Sequence, residues 1–185
     1  MNPVETLQSE HRTIGVALDI LEAICRRIER TRTVENPEHI DALVDFLMNF
    51  ADKGHHGKEE TLLYPLLEDT RTAAEGNWIW RMMREHELGR EFLRGVRRAM
   101  ERCRDNDPEG PEMLVYMALG YIEATRRHMR SETAILQDLD DKRLSVTDRE
   151  RLASSFEAIE KNWFGPDQYA AYRAVPTRLG RFYIH

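Results

Sequence analysis

His55-His56-Gly57-Lys58-Glu59-Glu60-Thr61-Leu62-Leu63-Tyr64-Pro65 is the stretch that decides the fold, and His128-Met129-Arg130-Ser131-Glu132 answers it later in the chain. Each sets a histidine four residues before a glutamate. On a helix, positions i and i+4 share a face one turn apart, so such an imidazole and carboxylate reach one point beside the helix. Two such pairs facing each other across a core make a metal site. Whether they face each other depends on the helices around them.

Working outward, Asn36-Pro37 is a helix-start signal, and a helix is expected from about Pro37 to about Leu67. Leu43, Leu47, Phe50 and Ala51 form its core stripe ahead of His55. Gly54 and Gly57 weaken that helix by roughly 1 kcal/mol each against alanine, and leave room for another backbone or a ligand to approach. Upstream, Asn2-Pro3 starts a helix with the stripe Leu7, Ile14, Leu18, Leu21, Cys25 and Ile28, in steps of three and four. The position missing from that stripe is His11.

Downstream, Asp69 to Asn77 reads as a loop, and a third helix runs from about Trp78 to Cys103 with His86 on its core seam. Arg104 to Pro111 is a break. A fourth helix, from about Pro111 to about Asp140, carries His128 and Glu132 on a stripe with Leu114, Ala118, Ile135 and Leu139. Thr147-Asp148-Arg149-Glu150 has capping-box form and opens a fifth helix. The segment from Gly165 to His185 carries too many aromatics for a disordered tail and is expected to pack on the rest. No alternating run is bounded by hairpin turns. The pattern predicts an all-α, up-down-up-down four-helix bundle over residues 1–144, with an additional C-terminal helix and tail over 145–185 packed on it.

In such a bundle, residues equidistant from a turn lie at one height. His11 and His55 are equidistant from residue 33, inside the first charged turn. His55 and His86 are equidistant from the start of the Asp69–Asn77 loop, and His86 and His128 from Asp107. All four histidines therefore fall at one level, with Glu59 and Glu132 one turn away. Burying that many polar groups on one level of a core is very costly unless something pairs them. Four imidazoles and two carboxylates suit a pair of first-row transition ions, and each carboxylate can bridge two metals.

His56 and Glu60 have the same spacing as His55 and Glu59. On a helical wheel, His55 and Glu59 lie nearer Leu47, Ala51 and Leu62, so this pair is preferred as ligands. His56 and Glu60 are then the outer pair, orienting a ligand or tuning its basicity.

Composition narrows the function. The chain has 185 residues, 32% charged and 41% hydrophobic, with a formal net charge of -6. That gives no basic footprint for nucleic acid, and no apolar run is long enough to span a bilayer. Met1-Asn2-Pro3-Val4-Glu5 shows no secretory n-region. Cys25 and Cys103, inside apolar helical patterns and without a CxxC, read as core thiols in a reducing cytosol. A cytoplasmic protein with no membrane or nucleic-acid partner is expected.

On Ser9-Glu10-His11-Arg12, the His55 to Pro65 stretch, Glu85-His86-Glu87 and His128 to Glu132, the chain resembles the hemerythrin-like, or HHE cation-binding, family over about residues 5 to 140. The resemblance implies a non-haem di-iron site bridged by Glu59 and Glu132. Oxygen-carrying members have five histidine ligands, two of them four apart on the third helix. Here Met82 and Arg90 stand at that spacing from His86, so the fifth ligand is missing; His56, Glu60 and Tyr121 are the candidates to replace it. The expected function is binding or responding to O2, NO or peroxide, or handling iron. The alternatives are an enzyme acting on peroxide or NO, and an interaction module in which Gly165 to His185 docks a partner or a second copy.

Overall fold

A computed structural model describes residues 2–68, 73–142, 144–165 and 167–184, with side chains except at 68, 73–76 and 138–142. Among the described residues the chain is helical throughout and no strand occurs. Helix α1 spans Pro3–Thr31. The Asn2 side chain accepts from the Val4 N–H at 3.0 Å, so the cap read from Asn2-Pro3 is in place. Arg32 closes the helix in the left-handed region, φ 59, with its N–H on the Ile28 carbonyl.

The second helical run departs from the regular helix expected over Pro37 to Leu67. It opens as α2, Pro37–Phe46, without a side-chain cap from Asn36. It then widens into a long π-helical segment, Leu47–His56, and a short one, Glu59–Leu63, before closing as α3, Tyr64–Glu68. The Gly57 N–H reaches the Asp52 carbonyl and the Tyr64 N–H the Glu59 carbonyl, each five residues back. Where α gives way to π, the Asn49 amide turns back to the Asp45 carbonyl at 2.9 Å and to its carboxylate at 2.8 Å.

Helix α4 spans Ala73–Arg104 and α5 spans Gly110–Lys142. Part of the loop expected over Asp69 to Asn77 is thus helix, from Ala73 on; residues 69–72 lie outside the described ones, as does the Leu139 side chain. Helix α6, Val146–Phe164, starts earlier than Thr147 because Ser145 is its cap. Ser145 and Asp148 form the capping box, with the spacing that had been read at Thr147 and Glu150. Beyond Gly165 the chain makes a further helix, α7, Gln168–Tyr183, with Pro176 inside it. Its Tyr169, Val175 and Leu179 are buried, and it packs against α1 and α2.

The core is split in two. One apolar cluster holds Ile14 to Ile28, Ile40 to Ala51, Leu93 to Met100 and Leu114 to Ile122. The other holds Val4, Leu7, Leu63, Met82, Leu136 and Phe156, among others. On each of the main helices the histidines fall between the two: His11 between Leu7 and Ile14, His86 between Met82 and Leu93, His128 between Ile122 and Leu136. A polar layer crosses the helical bundle at one level.

Candidate metal centre

The layer is built from five parts of the chain. Helix α1 supplies His11, the long π-helical segment His55 and His56, the short one Glu59, α4 His86, and α5 His128 and Glu132. All are buried, with His55, Glu59 and Glu132 at 0% exposure. Ring centroids lie 4.6 Å apart for His11–His55 and His86–His128, and 3.8 Å for His56–His86.

Donor atoms fall into two groups, each with its members within 4.8 Å of one another: His56, Glu59, His86 and His128; and His11, His55, Glu59 and Glu132. Glu59 belongs to both. Its Oε1 lies 3.0 Å from His55 Nε2 and its Oε2 3.4 Å from His86 Nε2, one oxygen to each group. Glu132 Oε2 faces both as well, 3.2 Å from His11 Nε2 and 3.6 Å from His128 Nε2.

The structure therefore brings together His11, His55, Glu59, His86, His128 and Glu132, and adds His56, which the helical wheel had turned outward. The reason is the wide turn. An α-helix of 3.6 residues per turn splays adjacent side chains by about 100°. With i→i+5 bonding the turn holds more residues and neighbours diverge less, so both His55 and His56 face inward. Of the candidates for a fifth nitrogen's place, His56 stands in the layer. Glu60 stays outside it, and the buried Tyr121 hydroxyl is bonded to Thr125 instead.

Behind four of the imidazoles stands a carboxylate on Nδ1: Glu10 on His55 at 2.9 Å, Asp52 on His56 at 3.4 Å, Glu60 on His86 at 2.7 Å, Glu85 on His128 at 3.2 Å. Each fixes its ring so that Nε2 points into the layer, the arrangement that orients metal-binding histidines and raises their basicity. Sequence reasoning assigned this part to Glu60 but missed Glu10, Asp52 and Glu85. A signal was present, since Glu10 and Glu85 directly precede His11 and His86. Yet each serves the histidine of another helix. Tyr64 was also missed; its hydroxyl lies 3.2 Å from Glu132 Oε1 and 3.4 Å from Glu59 Oε2, and can donate to either.

The donor set fits a metal on the evidence of its unpaired atoms. His11 Nε2, His55 Nε2, Glu59 Oε1 and Glu132 Oε2 are buried without a hydrogen-bond partner, although they lie close to one another. Nε2 of His86 and Nε2 of His128 stand 3.1 Å apart, close enough for one to donate to the other, and face one space. Buried polar groups left so are costly.

Protonation tells the same story. Burial, and then the neighbouring Glu132 charge, push the Glu59 carboxyl up to about 7. Burial would lower His55, but the Glu59 and Glu10 carboxylates outweigh it and lift the ring to about 10. For His56, burial dominates and pulls it down to about 3; His86 is likewise held well below its usual value. A proton on His55 and the upward shift of Glu59 thus stand where a cation's charge is needed, while His56 and His86 stay neutral.

The chain matches the sequence model of the hemerythrin HHE cation-binding domain over residues 2–139, well over half its length. It belongs to that family, and cation binding is the property the family description carries. No match was found among curated proteins or among solved structures.

Proposed function

We propose that this hemerythrin-family chain is a non-haem di-iron protein that binds or responds to O2, NO or peroxide, or handles iron. The observation that carries the reading is the shared carboxylate: Glu59 presents one oxygen to each of two donor groups, and Glu132 also faces both. His56, His86 and His128 would hold one ion, His11 and His55 the other, with Glu59 and Glu132 spanning them. A bound iron pair would supply redox chemistry and an exchangeable position for a small oxidant or diatomic molecule. The group with two imidazoles offers fewer protein donors, and is where such a molecule would enter. With His56 in the layer there are five imidazoles, and His56 would take the place of the fifth histidine that the third helix lacks.

The residues around the ions have defined parts. Glu10, Asp52, Glu60 and Glu85 orient the rings. Burial and the adjacent carboxylates hold the Tyr64 hydroxyl well above its usual range, so it stays protonated and donates toward the Glu59–Glu132 pair. The apolar clusters on either side of the layer slow the entry of water. That residues equidistant from each connection meet supports helices alternating up and down around the site. Among the described residues no helix is long and apolar enough to cross a membrane. The two cysteines are free, which suits the reducing cytoplasm proposed as the location.

The test is metal content with an optical spectrum, recorded anaerobically and then after air, NO or peroxide. Two irons per chain, with charge-transfer bands responding to one of these molecules, are expected. Two irons still bound by a His55→Ala/His128→Ala double variant would sink the assignment, and stoichiometric zinc with no spectral response would redirect it.

A further inference from the structure

We propose that α6 and α7, which lie beyond the stretch matched to the family, are part of the metal centre. Tyr169 and Glu160 act through Glu10 and Lys58 as positioning residues for His55. The inference rests on the reading of His55 as a ligand and goes beyond it.

The helical run from Lys53 to Glu59 has two faces. His55, His56 and Glu59 point into the layer. Lys53, Gly54, Gly57 and Lys58 meet the C-terminal helices. The Lys53 ammonium donates to the Trp163 carbonyl at 3.2 Å and lies 4.9 Å from the centre of the Phe164 ring. A Cβ on Gly54 would stand 2.9 Å from Tyr169 Cε2, and one on Gly57 2.4 Å from Trp163 Cζ3. The two glycines that weaken this helix are therefore the seats of two aromatic rings from α6 and α7. Any side chain there would force those rings to shift from the segment that carries the ligands.

A polar chain runs through the same contact. Glu10 Oε2 accepts from His55 Nδ1 at 2.9 Å, and Glu10 Oε1 accepts from the Tyr169 hydroxyl at 2.6 Å. Lys58 is wholly buried, an unusual place for an ammonium unless it is paired. It donates to Glu10, to Glu160 Oε1 at 2.5 Å and to the Tyr169 hydroxyl at 3.0 Å, and lies over the Phe156 and Tyr169 rings. Glu10 thus holds the His55 ring on one oxygen and is itself held by α7, and by α6 through Lys58, on the other. Partners one step behind a ligand set its orientation, and their loss typically weakens metal binding by about 10- to 100-fold.

The experiment titrates cobalt(II) into the metal-free full-length chain, comparing wild type with Tyr169→Phe, which keeps the ring on Gly54, and with Glu160→Gln, which changes a partly exposed side chain. Absorption is followed through both binding steps of the titration. Wild type is expected to bind two. The variants should bind one ion as before and the other about 10-fold more weakly. In the metal-free variants the His55 Nδ1–H, followed by nuclear magnetic resonance, should exchange with water faster than in wild type. Unchanged affinities in both variants, or equal weakening of both ions, would overturn the positioning role, as would unchanged Nδ1–H exchange. Failure of the wild type to bind cobalt would instead overturn the metal reading itself.

Discussion

Replacing His56 by leucine separates the wide-turn geometry from a regular helix. Leucine keeps most of the volume packed against His86, whose ring centroid lies 3.8 Å away, and removes the donor nitrogen. Structural zinc sites bind with about 10–16 kcal/mol, so one of five protein donors carries about 2–3 kcal/mol, on the order of 100-fold in affinity. In the metal-free protein the same change is mild. Burial holds His56 neutral at pH 7, with a value near 3, and among the described residues its hydrogen bond is the long 3.4 Å contact to Asp52. The loss there is about 1 kcal/mol. Zinc competition against a chromophoric chelator, with thermal unfolding of the metal-free forms, measures both quantities. The expected result is one ion weakened about 100-fold with a nearly unchanged metal-free unfolding midpoint. Two ions held with wild-type affinity would refute the wide-turn placement and restore the six-ligand set in which only His55 faces inward.

Three other perturbations test different parts of the structure. Gly57→Ala should lower stability by about 1–3 kcal/mol, because its methyl would stand 2.4 Å from Trp163; a wild-type melting midpoint would show that α6 does not sit on this glycine. In metal-free protein, burial raises the Glu10 carboxyl, but the His55 hydrogen bond and the Lys58 charge overcome it and bring it from 4.5 down to about 2. A depressed carboxyl contributes stability above its unfolded value and loses it as pH falls through the folded one. The Glu10 share, about 3 kcal/mol, should therefore disappear between about pH 4.5 and about pH 2, and Glu10→Gln should flatten that limb of the unfolding curve. Metal removal should lower stability throughout. With free metal at 100 times its dissociation constant, each ion adds about 2.7 kcal/mol. At about 2–4 °C per kcal/mol for a chain of this size, chelation should lower the midpoint by roughly 10 °C or more. An unchanged midpoint would speak against the layer as a cation site.

The sequence carried the level of the site but not its finest register. His11, His86 and His128 could be placed by counting from the turns, because apolar seams in steps of three and four are coarse features that survive small changes of helix geometry. The π-helical stretch is not of that kind. It differs from an α-helix by one hydrogen-bond step, and no residue type commits a chain to it. Gly54 and Gly57 hinted at something pressing close, yet the rings that press, Tyr169 and Trp163, come from more than a hundred residues away. Separation along the chain, 45 residues here, also hid Glu10 as the partner of His55. Adjacency in the chain sets Glu10 beside His11, whereas packing gives it to the next helical run. Ser145 was missed in favour of Thr147 because both begin a stretch with capping-box spacing, and only the backbone decides which one is outside the helix.

The outer carboxylates also explain why the layer is organised before any ion arrives. Three of the four bonds they make to Nδ1 cross between helical runs: Glu10 of α1 to His55, Glu60 to His86 of α4, Glu85 of α4 to His128 of α5. Rings fixed in this way cannot turn away from the centre without breaking contacts between helices, so the cost of ordering them is met during folding. The charge that results is unbalanced. Glu59 and Glu132 inside, with Glu10, Asp52, Glu60 and Glu85 behind them, face Lys58 and the Arg90 guanidinium, which binds Asp52 at 2.8 Å and Glu60 at 2.6 Å. More acids than bases are buried at one level. Metal-free, the chain answers by keeping protons on His55 and raising Glu59 toward neutrality. Divalent ions would release those protons and supply the missing positive charge, so metal uptake should become stronger as pH rises through neutrality.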